Sequence, residues 1–253
     1  MDADLAGLRR TGCGPAVSRA GGWNPKLSKQ MAKHWQKVEA RAVQSRGVWA
    51  LVPGFVVRGK TLAAHEDLET ALRQAAGEEE AAKLERVARR AELRSVFREF
   101  KTMNAAVAAR LESELEAADS LRGDLVRLKK LQPDSREKIE KRTLMTLECW
   151  QALNDRRAAE TPARPELLVR DTTWAAHEAR WKELPGLRLA AEEADLDWRA
   201  AKAALAKASK VLSGLNVDWF KAWKSEYAPG TPENDALAGV KRFPPGARRK
   251  RGS

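Results

Sequence analysis

Between Gly54 and Thr61 the chain reads Gly-Phe-Val-Val-Arg-Gly-Lys-Thr. This satisfies G-x-x-x-x-G-K-[ST], the spacing of the loop that cradles nucleotide phosphates. In such a loop backbone N–H groups line a tight anion nest, the lysine reaches the terminal phosphates and the hydroxyl holds magnesium. Gly59, Lys60 and Thr61 would then be the nucleotide-binding residues. The residues between the glycines argue against it. Phe55, Val56, Val57 and Arg58 include two stiff β-branched side chains that favour an extended backbone, whereas the nest needs small residues. The loop also requires a parallel sheet with further apolar strands alternating with helices. None follows Leu62, and Asp171, the best substitute for a metal-holding acid at a strand end, is better used as a helix cap.

Other chemistry is equally sparse. A di-metal helical bundle needs Glu-x-x-His pairs projecting inward, but the positions three before His34, His65 and His177 are Met31, Leu62 and Trp174. His65-Glu66 and His177-Glu178 lack the second histidine of a zinc-protease helix. His177, on a face with Trp174 and Trp181, reads as a packed histidine. Cys13 and Cys149 form neither a CxxC nor a Cys/His cluster, and Cys149 reads as a small buried apolar residue. No metal site, cofactor or catalytic constellation emerges, so the chain reads as a non-enzyme.

Charge carries more information. Net charge is +12, and its distribution is uneven. Residues 1 to 60 hold 11 Lys/Arg against 3 Asp/Glu, and residues 201 to 253 hold 11 against 4, while residues 61 to 200 are close to neutral with 25 against 28. Basic ends around a neutral body favour an anionic partner, nucleic acid first, although basic ends can also serve solubility alone. Two clusters stand out. Lys29, Lys33, Lys37 and Arg41 form a ridge at successive i+4 positions, where each like-charge neighbour costs roughly 0.2–0.5 kcal/mol. Arg248, Arg249, Lys250 and Arg251 close the chain. The ridge calls for acidic partners, either in a ligand or on another helix of the same protein.

The elements that must carry these residues are mostly helical. Asn24-Pro25 reads as a cap and first helical residue, and Leu27, Met31, Trp35, Val38 and Ala42 give one apolar face to about Ser45. Val48 to Val52 and Phe55 to Val57 flank Pro53-Gly54, which predicts a small two-stranded β element near residues 48–58. A helical pattern follows, with Gly77 as a candidate break. Leu93, Phe97, Phe100, Val107 and Leu111 form a seam, in which Asn104 sets register or yields to Met103. Asp134 is the expected cap of the next helix and Asp171 of the one after, which Pro185-Gly186 should stop. Leu187, Ala191, Ala194, Trp198, Ala201, Leu205, Ala208 and Leu212 then repeat at four and three, the cleanest heptad in the chain. Gly214 should end it and Asn216 cap a helix whose face holds Trp219, Phe220, Trp223 and Tyr227.

The expectation is a mainly α protein of long antiparallel helices, as a bundle or coiled-coil hairpin, with a small two-stranded β element and flexible basic termini. Its segments are a disordered tail (1–23), a basic helix with the β element and a long helical segment (24–130), a second helical segment (131–228) and a basic tail (229–253). No apolar stretch is long enough for a membrane span or signal, and a cytoplasmic location is expected. The function read from these features is a non-catalytic structural or interaction protein whose basic termini bind a polyanion, nucleic acid first. One alternative is an assembly module that forms a homo-oligomer through Leu187, Trp198, Leu205 and Leu212. The other is the nucleotide-binding enzyme of Lys60 and Thr61.

Overall fold

The computed structural model describes residues 25–116 and 119–240, with residues 25–33 described as helical backbone only. The two tails, with Arg248–Arg251, lie outside the described residues, as do the side chains of Lys29 and Lys33. The protein is mainly helical. Among the described residues the order is α1 (Pro25–Trp49), α2 (Leu62–Glu114), α3 (Arg122–Lys130), α4 (Arg136–Ala159), α5 (Trp174–Glu226), α6 (Pro232–Ala236) and a 3-10 turn (Leu237–Gly239). Threonine and serine hydroxyls start four of these helices: Thr61, Ser135, Thr173 and Thr231 each accept the backbone N–H three residues on, satisfying one of the donors that a helix start leaves unpaired.

The chain is built from two copies of one plan. Both long helices have 53 residues, and the bounds 62 and 114 of α2 reappear as 174 and 226 in α5, a constant displacement of 112. The approach to each is the same. Phe-Val-Val-Arg-Gly-Lys-Thr-Leu-Ala-Ala-His-Glu (55–66) matches Leu-Leu-Val-Arg-Asp-Thr-Thr-Trp-Ala-Ala-His-Glu (167–178) at seven of twelve positions, namely Val, Arg, Thr, Ala, Ala, His and Glu. Each approach contains a two-residue reverse turn closed by an isolated bridge, Val57 to Lys60 and Val169 to Thr172. Both central residues have positive φ, Arg58 and Gly59 in one, Arg170 and Asp171 in the other, as in a hairpin turn of the primed type. The preceding helices also correspond. The Trp49 indole donates to the Phe55 carbonyl at 2.8 Å, and the Trp150 indole donates to the Leu167 carbonyl at 3.0 Å.

Helices α2 and α5 run antiparallel. His65 meets Asn216, Glu79 meets Trp198, Arg86 meets Asp195, and Phe100 meets Trp181. At about 1.5 Å per residue each helix extends roughly 80 Å. At one pole α1 lies against them, burying Val38 and Ala42 with Leu72, Ala75, Leu205 and Leu212, while Trp49 stacks on Trp219. At the other pole α4 takes the equivalent place, with Ile139 among Leu93, Phe97, Phe100, Leu184 and Ala191, and Trp150 among Val107, Leu111 and Leu153. Between the poles lies a waist where α2 and α5 bury little, bordered by α1 at His34, Trp35 and Gln36. There α2 has no buried residue from Ala76 to Glu92.

Several expectations fail for physical reasons. The two-stranded element is replaced: Val48 and Trp49 are the last turn of α1, and the stretch to Lys60 holds only the bridge that closes its turn. The aromatic and β-branched residues there pack on α5, not on a partner strand. Gly77 and Gly214 interrupt neither long helix, and Pro185 stands inside α5. Buried Leu184 and Ala191 on one side, and Leu212, Leu215 and Asn216 on the other, hold the backbone helical where propensity alone would release it. Asn216 is thus an interior residue and no cap. Ser135 caps α4 one residue after Asp134, which instead pairs with Lys138 at 2.8 Å. Thr173 caps α5 two residues after Asp171.

The repeat provides its own test of turn strain. Positive φ favours glycine, yet the second repeat carries Asp171 (φ 59) where the first has Gly59 (φ 74), and a Cβ added at Gly59 would meet nothing within 4 Å. Asp171→Gly should raise stability by a few tenths to about 1 kcal/mol, and Gly59→Asp should lower it by a similar amount, read in urea melts.

Candidate anion-binding surfaces

The residues of the phosphate-loop match are already committed. The backbone N–H groups of Val57 and Lys60 bond to each other's carbonyls at 2.9 and 2.8 Å, so they do not point into a nest. The Thr61 hydroxyl caps α2 by accepting from the Ala64 N–H, and Gly59 supplies the turn. Arg58 pairs with Asp218 at 3.1 Å. Gly59 and Lys60 are exposed on the turn, and its counterpart in the second repeat, Asp171-Thr172-Thr173, keeps the geometry without the glycine or lysine.

The titratable residues inside the helices are structural neighbours. His65 is fully buried, with Nε2 2.8 Å from the Asn216 Oδ1 and Nδ1 3.2 Å from the Glu69 carboxylate. Glu69 also faces Arg73 at 3.3 Å and Arg46 at 3.6 Å. In the first repeat Asn104 of α2 is the counterpart of Asn216, and its side-chain amide donates to the Thr143 hydroxyl at 2.8 Å. Burial pushes the His177 imidazole below its ordinary value, which leaves it neutral at pH 7. Cys149 is buried too. Desolvation first, then the charges of Asp124 and Glu148, push its thiol up to about 11, the opposite of an activated nucleophile.

The basic ridge lies on α1. Lys37 is exposed, and no ion pair is seen for it among the described residues. Arg41 is half-buried with its guanidinium 5.7 Å from the centre of the Phe220 ring, and burial lowers its pKa. Glu39, the acid within the ridge, is taken by Arg73 at 2.7 Å. The cluster around Trp49 joins Val48 and Val57 to Leu215, Trp219, Trp223, Leu237 and Val240. Two stretches remote in sequence therefore converge on one pole; α1 is basic, whereas residues 201–240 are near balance, with five Lys/Arg against four Asp/Glu. The chain continues past Val240 into the segment that holds Arg248–Arg251. Trp219 and Trp223 are fully buried and belong to this core.

The proposed assembly residues are used within the chain. Leu205 and Leu212 are buried against Val38, Ala42, Leu72 and Ala75. Leu187 packs on the cluster around Phe97. The Trp198 indole donates to Glu79 at 2.9 Å and carries the Arg86 guanidinium 4.0 Å from its ring centre.

Sequence reasoning did not find a cleft of about 750 Å³ beside the waist, where Arg86, Arg90 and Arg94 of α2, Arg136 of α4 and Arg188 of α5 converge with Asp195 and Glu192. Asp195 binds Arg86 at 2.6 Å and also Arg90. Arg188 pairs with Glu140. Arg136 and Arg188 both lie over the face of Phe97, at 5.3 and 5.8 Å, and Arg94 donates to the Arg90 carbonyl at 3.1 Å. The i, i+4 spacing of Arg86, Arg90 and Arg94 was visible in the chain. The approach of Arg136 and Arg188 depends on how α4 and α5 pack.

No protein-family model matches this sequence, and neither curated proteins nor solved structures contain a significant match.

The Asp195 pairs set a pH dependence. Burial raises the carboxyl, but hydrogen bonds from Arg90 and Arg86 outweigh it and hold the group below its ordinary value. A carboxylate depressed on folding contributes stability above its unfolded pKa, about 3.9, and loses it as pH falls through the folded value. Asp195→Asn should therefore cost about 1–3 kcal/mol at neutral pH. In denaturant melts across pH the gap to wild type should close below about pH 4.

Proposed function

We propose that this chain is a non-catalytic helical interaction protein that binds a polyanion, nucleic acid first, through the pole formed by α1 and the end of α5. The observation that carries the reading is the basic character of α1, whose end packs on the core around Trp49 and Trp223: Lys26, Lys29, Lys33, Lys37, Arg41 and Arg46 stand against Glu39 alone, and the sequence after Val240 adds six Lys/Arg and no acid. The inner face of α1 is anchored by Val38, Ala42 and Trp49, and exposed Lys37 is carried on that anchored helix. Lysines spaced at helical repeats along one face suit a phosphate backbone, whose charges recur at short intervals and reward counterion release.

Deleting α1 would remove Trp49 and Ala42 from the core, so substitution is the cleaner test. Fluorescence anisotropy with a short duplex, taken through a salt series, should show affinity falling steeply with salt. The slope of log K against log salt should drop by roughly 2–3 in a Lys29→Ala, Lys33→Ala, Lys37→Ala variant, close to one per lost phosphate contact. Removing residues 241–253 should lower it further. Absence of binding by wild type at low salt would refute the proposal.

A further inference from the structure

We infer that the arginine-lined cleft beside the waist is a second, separate site, which binds a compact ligand carrying two or more adjacent phosphate groups. The duplication supplies the control for this inference. At the same structural positions in the other repeat, Arg86, Arg90, Arg94 and Arg188 are matched by Trp198, Lys202, Ala206 and Ala76 through the displacement of 112. Arg136 is matched by Trp35, because α1 and α4 correspond through Trp49 and Trp150. All five counterparts line the equivalent groove on the side of α1. Of these five counterparts only Lys202 is cationic. The plan therefore folds with tryptophan and alanine in these places, and helix packing does not require the arginines.

Holding them together has a cost that the Asp195 pairs repay only for Arg86 and Arg90. Arg86, Arg90 and Arg94 repel along one stripe of α2, and Arg136, the first residue of α4, is a cation where the helix dipole favours an anion. The cleft lining carries five guanidiniums and two carboxylates. Even with Glu140 counted against Arg188, a surplus of two positive charges remains. Asp195 occupies Arg86 and Arg90 and fixes their orientation. Arg94 and Arg136 are exposed and have no carboxylate partner among the described residues.

Guanidinium forks match the paired oxygens of phosphate in bidentate fashion. The cleft's apolar lining, Val87, Leu93 and Ala191, lowers the local dielectric and strengthens those bonds. A monoanion would leave the surplus uncompensated, whereas adjacent phosphates span two forks.

Tripolyphosphate is a suitable probe. Calorimetric titration of the full chain at low salt should show saturable binding at one site. The Arg94→Ala, Arg136→Ala double variant should bind at least about tenfold more weakly, a loss of roughly 1.4 kcal/mol, with its thermal melt unchanged because both side chains are exposed. A Lys207→Ala, Lys210→Ala variant removes the same charge from the far part of α5 and should bind as wild type does. Equal weakening in both variants would show diffuse attraction only and overturn the site, as would the absence of saturable heat in wild type. Duplex binding in the Arg94→Ala, Arg136→Ala protein should keep its salt slope, so failure at the basic pole and failure at the cleft are read separately.

Discussion

Two helices of 53 residues that share a single seam cannot shield each other from water along their whole length. Each offers an apolar stripe wider than one partner covers, and the rest of the chain is arranged to cover the remainder. At one pole α1 fills the groove between α2 and α5, and at the other α4 does so. Each covering helix is tied to the following turn by one interaction, a tryptophan indole donating to the carbonyl two residues before the turn valine, from the last residue of α1 and from within α4. The turn in turn delivers the threonine that caps the long helix. At the waist, where α2 has no buried residue, burial gives way to ion pairs and a guanidinium over an indole.

The two repeats kept their mechanics and let their surfaces part. Valine, the positive-φ pair, the capping threonine and the buried histidine recur in both, because each is tied to backbone geometry or to the core. Polar details inside diverged in compensated ways. Thr143 receives the amide of Asn104, whereas its counterpart is Ala42, and Asn216 turns to His65. Outside, where packing sets no limit, one groove became arginine-rich and the other aromatic.

Much of this was legible from residue spacing. The seam through Leu93, Phe97, Phe100, Val107 and Leu111 is buried throughout, and the heptad from Leu187 to Leu212 faces inward. Asn104 lies within its stripe, not at its edge. What spacing could not supply was the strength of packing at the punctuation residues. Gly77, Pro185, Gly214 and Asn216 weaken a helix in isolation, and long-range burial outweighs them here. The β reading of Val48 to Val57 failed because β-branched and aromatic residues serve equally well to fill a helical core. The repeated Ala-Ala-His-Glu was present in the sequence, and comparing the chain with itself would have exposed it. The arginine cleft was not legible, since its members come from three helices.

The two poles differ in how the chain enters them. The pole around α4 draws its core from one continuous stretch, Leu93 to Ala191, so it can close as soon as that stretch has left the ribosome. The pole around α1 brackets it, joining residues 38–75 to residues 205–240, with His65 waiting for Asn216, 151 positions later in the chain. The two cores are therefore nested in the chain: the inner pole is complete in sequence before the outer one, and setting α2 against the start of α5 shortens the loop that the last residues must close. The duplicated plan is symmetric in space, but its assembly has a direction in time.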